Sequence, residues 1–238
     1  MSERMGPANH PPATPATLTL PEPGDIHLWR ADLDAIEPDL ACLNDEERAR
    51  AARFRTPELT HRFAAGRTRL RQVLARYLGC TPAKVEFSYN PFGRPELAHA
   101  PPGSNLDFNL SHTENHFLLA VARGRVGVDI ELSTRETDLI GLARQVMSPD
   151  ELRTFEALPD PERTAAFFAL WTAKEAIIKV LGTGFSRDAR TLHIGWDEPL
   201  SLTDAGRTYR VRRVDYAPGV PAAVALEGVV ENIRETQS

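Results

Sequence analysis

Two pairs of short segments recur in this chain at a single separation. Leu78-Gly79 and Leu181-Gly182 each close a long helical pattern and are followed by a strand pattern, and Ala120-Val121-Ala122 and Ala223-Val224-Ala225 each begin a late strand. Both pairs stand 103 positions apart (181 less 78, 223 less 120). That offset predicts an α+β fold: a pseudo-dimer of two similar α/β subdomains with the site in the cleft between them. Small apolar tripeptides also recur by chance, so the repeat alone does not establish the duplication. The length, 238 residues, suits one substantial core or two small ones.

Residues 1–23 are rich in Pro, Ala and Thr and carry no helical or alternating period, so they read as a disordered lead-in. Residues 24–124 are expected to form the first subdomain and 125–238 the second. Alternation over 25–30 predicts a first strand. Asn44 with Glu47 predicts a capping box, and Thr56-Pro57 a break before a helix over 58–78 with the stripe Leu59, Phe63, Leu70, Val73, Leu74 and Tyr77. Strands are expected at 85–89 and 105–110, with Ser111-His112 just beyond, and at 117–122. Helices follow at 138–147, after Ser148, and over 162–181, then strands at 191–196, 207–215 and 221–230 and a polar tail after Glu231.

The net charge is −5, which suggests neither a nucleic-acid nor a membrane partner. Its distribution is uneven: nine arginines from Arg48 to Arg76 are opposed within that segment only by Glu58. Two cysteines, Cys42 and Cys80, make neither a disulfide framework nor a metal set, which fits a reducing, cytoplasmic setting. The N-terminus lacks the charged start and apolar core of a signal peptide, and the longest apolar run, 117–122, is too short to span a bilayer.

Three constellations carry chemistry. Arg125-Val126-Gly127-Val128-Asp129-Ile130-Glu131 reads as a strand end with Asp129 and Glu131 on one side. Two carboxylates that close call for a cation, a shared proton or screening water, so the patch is either a divalent-metal platform, with Mg²⁺ the expected ion, or a wet strand end. Glu175 and Lys179 are four apart on one helix face, either a surface ion pair or, beside Trp171 and Ile178, part of a cleft. Were Glu175 to meet Asp129 and Glu131, three carboxylates would hold one ion and Lys179 would face a phosphate, as transfer at phosphorus requires. Ser111-His112 is either a strand-end turn or a set of phosphate donors. No Walker loop or zinc spacing is present in the sequence.

In order, Phe108-Asn109-Leu110-Ser111-His112, then Val126-Gly127-Val128-Asp129-Ile130-Glu131, then Trp171-Thr172-Ala173-Lys174-Glu175-Ala176-Ile177-Ile178-Lys179 resemble the signature set of the 4'-phosphopantetheinyl transferases. The length and the duplicated pattern resemble the monomeric, surfactin-synthetase-activating (Sfp) type. The resemblance implies coenzyme A in the cleft and Mg²⁺ held by Asp129, Glu131 and Glu175. A serine of an apo acyl or peptidyl carrier protein would attack the β-phosphate and release adenosine 3',5'-bisphosphate. It also implies phosphate contacts from Ser111, His112 and Lys179, and basic contacts near the 3'-phosphate from Arg53, Arg62 and Arg94. Glu151 matches a carboxylate expected to act near the metal as base for the serine, and His112 and Lys179 are expected to take part in catalysis. The role of Lys174 stays open between support and phosphate contact.

A non-catalytic coenzyme A or nucleotide-binding module would lack use for the complete acidic trio. A nucleic-acid binder using the arginine helix fits poorly with the acidic balance. A metal-dependent phosphohydrolase would release free phosphopantetheine without a carrier.

Overall fold

A computed structural model describes residues 16–133 and 138–236. The first half comprises β1 (Asp25–Asp32), α1 (Asp45–Ala51), α2 (Pro57–Leu78), the hairpin β2 (Phe87–Tyr89) and β3 (Pro95–Leu97), then β4 (Leu106–Thr113) and β5 (His116–Arg123). The second comprises β6 (Val126–Ile130), α3 (Leu139–Val146), α4 (Pro149–Glu156), α5 (Asp160–Leu181), β7 (Leu200–Asp204), β8 (Arg207–Ala217) and β9 (Val220–Glu227), and β10 (Asn232–Thr236) follows. Local chemistry sets the helix ends. Asn44 and Glu47 close a capping box on α1, Ser148 and Glu151 another on α4, and Thr56 caps α2 with Pro57 behind it.

One four-stranded sheet has the order β10-β1-β5-β4 and the other β6-β9-β8-β7, all neighbours antiparallel except β1 with β10. Within each half the opening strand pairs with the last strand, which pairs with its hairpin partner. The chain thus has the two-subdomain α+β fold its repeat predicted. Both long helices run for 22 residues and stop on a left-handed glycine, Gly79 (φ 62°) or Gly182 (φ 71°), where a side chain would be strained.

The offset differs between helices and strands. α2 and α5 start 103 positions apart (57 and 160), whereas β5 and β9 span 116–123 and 220–227, 104 apart. The faces follow the strand offset. Leu118, Ala120 and Ala122 of β5 face the other sheet, as do Ala222, Val224 and Leu226 of β9. Phe117, Leu119 and Val121 face α2, as Ala223 and Ala225 face α5. Pairing Ala120 with Ala223, as the tripeptides suggested, would put equivalent side chains on opposite faces. The layers run helix, sheet, sheet, helix, with both inner strands buried on both sides.

Other expectations change. Leu59 is exposed, because the first turn of α2 projects past the sheet. Residues 191–196 form no strand; a short 3-10 turn, Ala189–Thr191, leads into loop whose Leu192 and Ile194 enter the core. The polar tail contains β10, which pairs with β1, so the segment assigned to the second subdomain gives its last strand to the first sheet. The later part of the lead-in is docked rather than disordered. The Leu18 N–H donates to the Arg76 carbonyl, and Leu18 and Leu20 pack on the first core; residues 1–15 of that segment lie outside the described residues.

β6 touches the backbone of α5. A Cβ on Gly127 would stand 2.1 Å from the Ala176 carbonyl oxygen and 2.6 Å from the Val180 nitrogen. Neither can yield without moving helix or strand, so Gly127→Ala is expected to cost about 1–3 kcal/mol or more by overpacking. Urea denaturation checks this: an unchanged midpoint would mean the close approach is not maintained in solution.

Candidate active site

Strand alternation makes β4 the wall between two chemical environments. On one face Asp107 accepts from the Val126 N–H (3.0 Å) and Asn109 from the Val128 N–H (2.9 Å), while Ser111 Oγ donates to Asp129 Oδ1 (2.9 Å). On the other, Leu110 and His112 line a cavity of about 430 Å³. Ser111-His112 therefore lies within the strand and serves both sides, because adjacent strand residues point oppositely. Of the two readings of Ser111-His112, the strand-end turn is excluded.

Asp129 is 4% exposed, not a wet strand end. Its Oδ1 takes the Lys179 ammonium at 2.6 Å, and Lys179 also donates to Ser111 Oγ at 2.9 Å. Glu175, one turn before Lys179 on α5, is buried beside this group. Burial, then the charges of Asp129 and Glu131, push its carboxyl up to about 7, with Lys179 partly opposing them. Glu131 follows β6 directly, its N–H donating to the Pro221 carbonyl. The three acids thus share one electrostatic neighbourhood.

Two oxygens there, Asp129 Oδ2 and Glu175 Oε1, are buried with no hydrogen-bond partner. Orphaned carboxylate oxygens beside a third acid fit a hard cation. Among the described residues, however, no three His, Cys, Asp or Glu side chains already stand at ligand spacing.

Arg50, Arg62 and Arg67 line the cavity, together with Glu46, Glu47, Tyr89 and the His112 imidazole. Arg50 lies over the Phe63 ring, 5.3 Å from its centroid, and has no carboxylate partner among the described residues. His112 opens onto the cavity, yet its ring is lowered from the usual histidine range, first by the surrounding protein, then by the charges of Lys179 and Arg50. Both effects favour the neutral imidazole. Arg62 lines the cavity but donates two bonds to Asp34 (2.7 and 2.8 Å) and one to Glu114 (2.9 Å), and pairs with Glu58. Arg50 was missed in the sequence; its position three residues before Arg53, one helical turn, was the available signal.

Three expected site residues need correction. Arg94 is buried, and its guanidinium donates to Asp107 twice (3.1 and 2.7 Å) and to the carbonyls of Lys179, Phe108 and Val126. A guanidinium with its donors so engaged ties the halves together and has none to offer a phosphate. Glu151 is wholly buried and ion-paired with Lys174 at 2.6 Å, and it accepts from the Ser148 and Ile194 N–H groups. These donors hold its carboxyl below the usual range against the effect of burial, which leaves a poor base out of reach of a serine on another protein. Lys174 also donates to the Val146 and Ala189 carbonyls, so its role is support. Arg53 is exposed on the turn after α1 and does not line the cavity.

Comparison with known proteins gives the family. A family model described as 4'-phosphopantetheinyl transferase superfamily matches residues 125–219, and one described as 4'-phosphopantetheinyl transferase, N-terminal, matches 27–123. The chain is 42% identical over 178 residues to 4'-phosphopantetheinyl transferase HetI of Nostoc sp. (strain PCC 7120), covering 73% of this chain and 75% of that one. It is 38% identical to a putative 4'-phosphopantetheinyl transferase of Synechocystis sp. (strain PCC 6803), over 70% of this chain and 68% of that one. The chain belongs to the 4'-phosphopantetheinyl transferase superfamily. Within it the chain is of the Sfp-like type, being 27% identical to 4'-phosphopantetheinyl transferase Sfp of Bacillus subtilis (strain 168) over 78% of this chain and 82% of that one.

The raised Glu175 carboxyl gives a pH prediction for metal-free protein. Its folded value, about 7, lies above the ordinary 4.5. Below the ordinary value the group is protonated whether folded or not, and it costs nothing. As pH rises towards 7 the unfolded chain ionises first, so the folded state loses up to about 3 kcal/mol relative to it. Glu175→Gln removes that loss. Urea titrations with chelator at pH 5 and pH 8 are expected to show wild type losing stability relative to the variant at the higher pH; parallel behaviour would contradict the shift.

Proposed function

We propose that this enzyme transfers the 4'-phosphopantetheine group of coenzyme A to a serine of an apo carrier protein domain in a Mg²⁺-dependent reaction, releasing adenosine 3',5'-bisphosphate. The observation that carries the reading is the meeting of an arginine-lined cavity with buried, under-coordinated acids at one strand, β4. Coenzyme A presents a 3'-phosphate and a pyrophosphate, anions that suit the two sides of that strand.

In this reading Arg50 holds the ribose 3'-phosphate, and Arg62 reaches it only by giving up a carboxylate partner. His112 donates an N–H to the phosphate, and the phosphate's charge raises the imidazole's proton affinity. Lys179 turns from Asp129 to the pyrophosphate oxygens, and Ser111 orients it. Asp129, Glu131 and Glu175 would hold Mg²⁺, which when bound neutralises charge developing on the leaving phosphate. The burial of Asp129 and Glu175 keeps bulk water from screening these charges. The free thiols Cys42 and Cys80 suit a reducing, cytoplasmic setting.

The test is mass spectrometry of an apo carrier protein incubated with enzyme, coenzyme A and Mg²⁺. One added phosphopantetheine per carrier is expected, and a carrier-independent release of free phosphopantetheine would point to a hydrolase instead. Asp129→Asn is expected to lower kcat/KM by about 10²-fold or more. Arg50→Met should raise KM about 10-fold or more for coenzyme A, as loss of a charged hydrogen bond implies, and change it little for dephospho-coenzyme A, which lacks the 3'-phosphate.

A further inference from the structure

The Lys179 amine sits on Oδ1 of Asp129, next to the unpartnered Oδ2 of the same carboxylate. Lys179 Nζ, Ser111 Oγ and Asp129 Oδ1 form a closed triangle of bonds at 2.6, 2.9 and 2.9 Å. Among the described residues Lys179 is the one cation ion-paired with Asp129, and Glu175 has no ion pair. A divalent cation reaching Asp129 would meet an ammonium already on one of its two oxygens, and two cations repel at that spacing. The amine is not locked in place, since its side chain is 25% exposed where that of Asp129 is 6%. It sits on a flexible four-carbon stem with three rotatable donors. Without an anion to receive it, leaving Asp129 would cost the amine the one carboxylate it is paired with among the described residues.

Resting on the proposed reaction, we propose that Lys179 is the resident counter-ion of the acid cluster and exchanges Asp129 for a phosphate when coenzyme A enters. Divalent cation and coenzyme A then bind as a coupled pair, and the cation binds poorly alone. Coupling is reciprocal: whatever factor coenzyme A adds to cation affinity, the cation adds to coenzyme A affinity. Ser111 Oγ, which accepts from Lys179 and donates to Asp129, is the pivot of the exchange.

Electron paramagnetic resonance of free Mn²⁺, titrated into the full chain with no carrier present, tests this without an activity measurement. Wild type alone is expected to bind Mn²⁺ weakly and to gain affinity when coenzyme A is added. Lys179→Met, which keeps the stem and removes the charge, should bind Mn²⁺ about 10-fold more tightly than wild type in the absence of coenzyme A, and the gain on adding coenzyme A should shrink. Arg50→Met removes one cation without touching Asp129 and should leave ligand-free Mn²⁺ binding as it is. Should Lys179→Met be unfolded by circular dichroism, Lys179→Gln serves in its place. Unchanged or weaker ligand-free Mn²⁺ binding in the Lys179 variants, or an equal gain in Arg50→Met, overturns the counter-ion role. Asp129→Asn separates the two levels: if it binds Mn²⁺ with coenzyme A as wild type does, the metal assignment itself fails, whereas loss there with no effect at Lys179 removes this inference alone.

Discussion

The free edge of β6 is the constraint on which the site depends. β9 satisfies one edge of that strand, and the other faces β4 without a ladder of backbone bonds. Left bare, the buried N–H groups of Val126 and Val128 would cost about 1–3 kcal/mol each. Asp107 and Asn109 remove that cost with side-chain oxygens, from alternate positions on one face of β4. The next residue on that face is Ser111, so the register that satisfies the β6 backbone also delivers a hydroxyl to Asp129. Arg94 compensates the Asp107 charge and binds the Lys179 carbonyl, which ties the end of α5 to the same joint. Docking of the halves and assembly of the acid-lysine cluster are thus one event.

The parts of this arrangement legible in the sequence were those set by local periodicity or local caps. The helices, their glycine stops and the Asn44, Thr56 and Ser148 caps depend on residues within a turn of one another, so pattern alone locates them. β10 is different: its pairing with β1 joins positions 207 or more apart in the chain, and no short window contains that information. The site divides along the same line. Asp129, Glu175 and Lys179 follow from strand and helix spacing once the two elements are placed together. Whether an arginine faces a phosphate or a carboxylate depends on partners distant in sequence, which is why Arg94 misled and Arg50 went unnoticed.

The arginine-rich segment shows that counting charges does not give a field. Arg71 is buried against Glu47 and the Pro82 and Val85 carbonyls, and Arg67 bonds to the same Glu47. Arg62 is surrounded by three carboxylates. Arg69 and Arg76 lie over the Trp29 ring. Much of the apparent basic surplus is therefore structural: planar guanidinium groups that hold α2 to its surroundings by stacking and forked hydrogen bonds. What remains for a ligand is narrower, Arg50 above all, with His112 beside it.

The two halves also explain why there is one acid cluster and not two. In the frame where β5 matches β9, Leu119 corresponds to Ala223; Leu119 pairs with Trp29 on β1, as Ala223 pairs with Asp129 on β6. Along the helices, offset by 103, Gln72 and Arg76 correspond to Glu175 and Lys179. The first half thus has Trp29, Gln72 and Arg76 where the second has Asp129, Glu175 and Lys179. In both, a cation from the last turns of the long helix covers a side chain of the opening strand: Arg76 lies 5.5 Å from the Trp29 ring, and Lys179 lies 2.6 Å from an Asp129 oxygen. A ring face holds a cation with no net charge of its own, and Gln72 adds none, so that position is content as it stands. Lys179 meets the charge of Asp129, while burial and the charges of Asp129 and Glu131 raise the carboxyl of Glu175. The same scaffold therefore stacks cations on a ring in one half and gathers acids around a lysine in the other, and it is those acids that a divalent ion would meet.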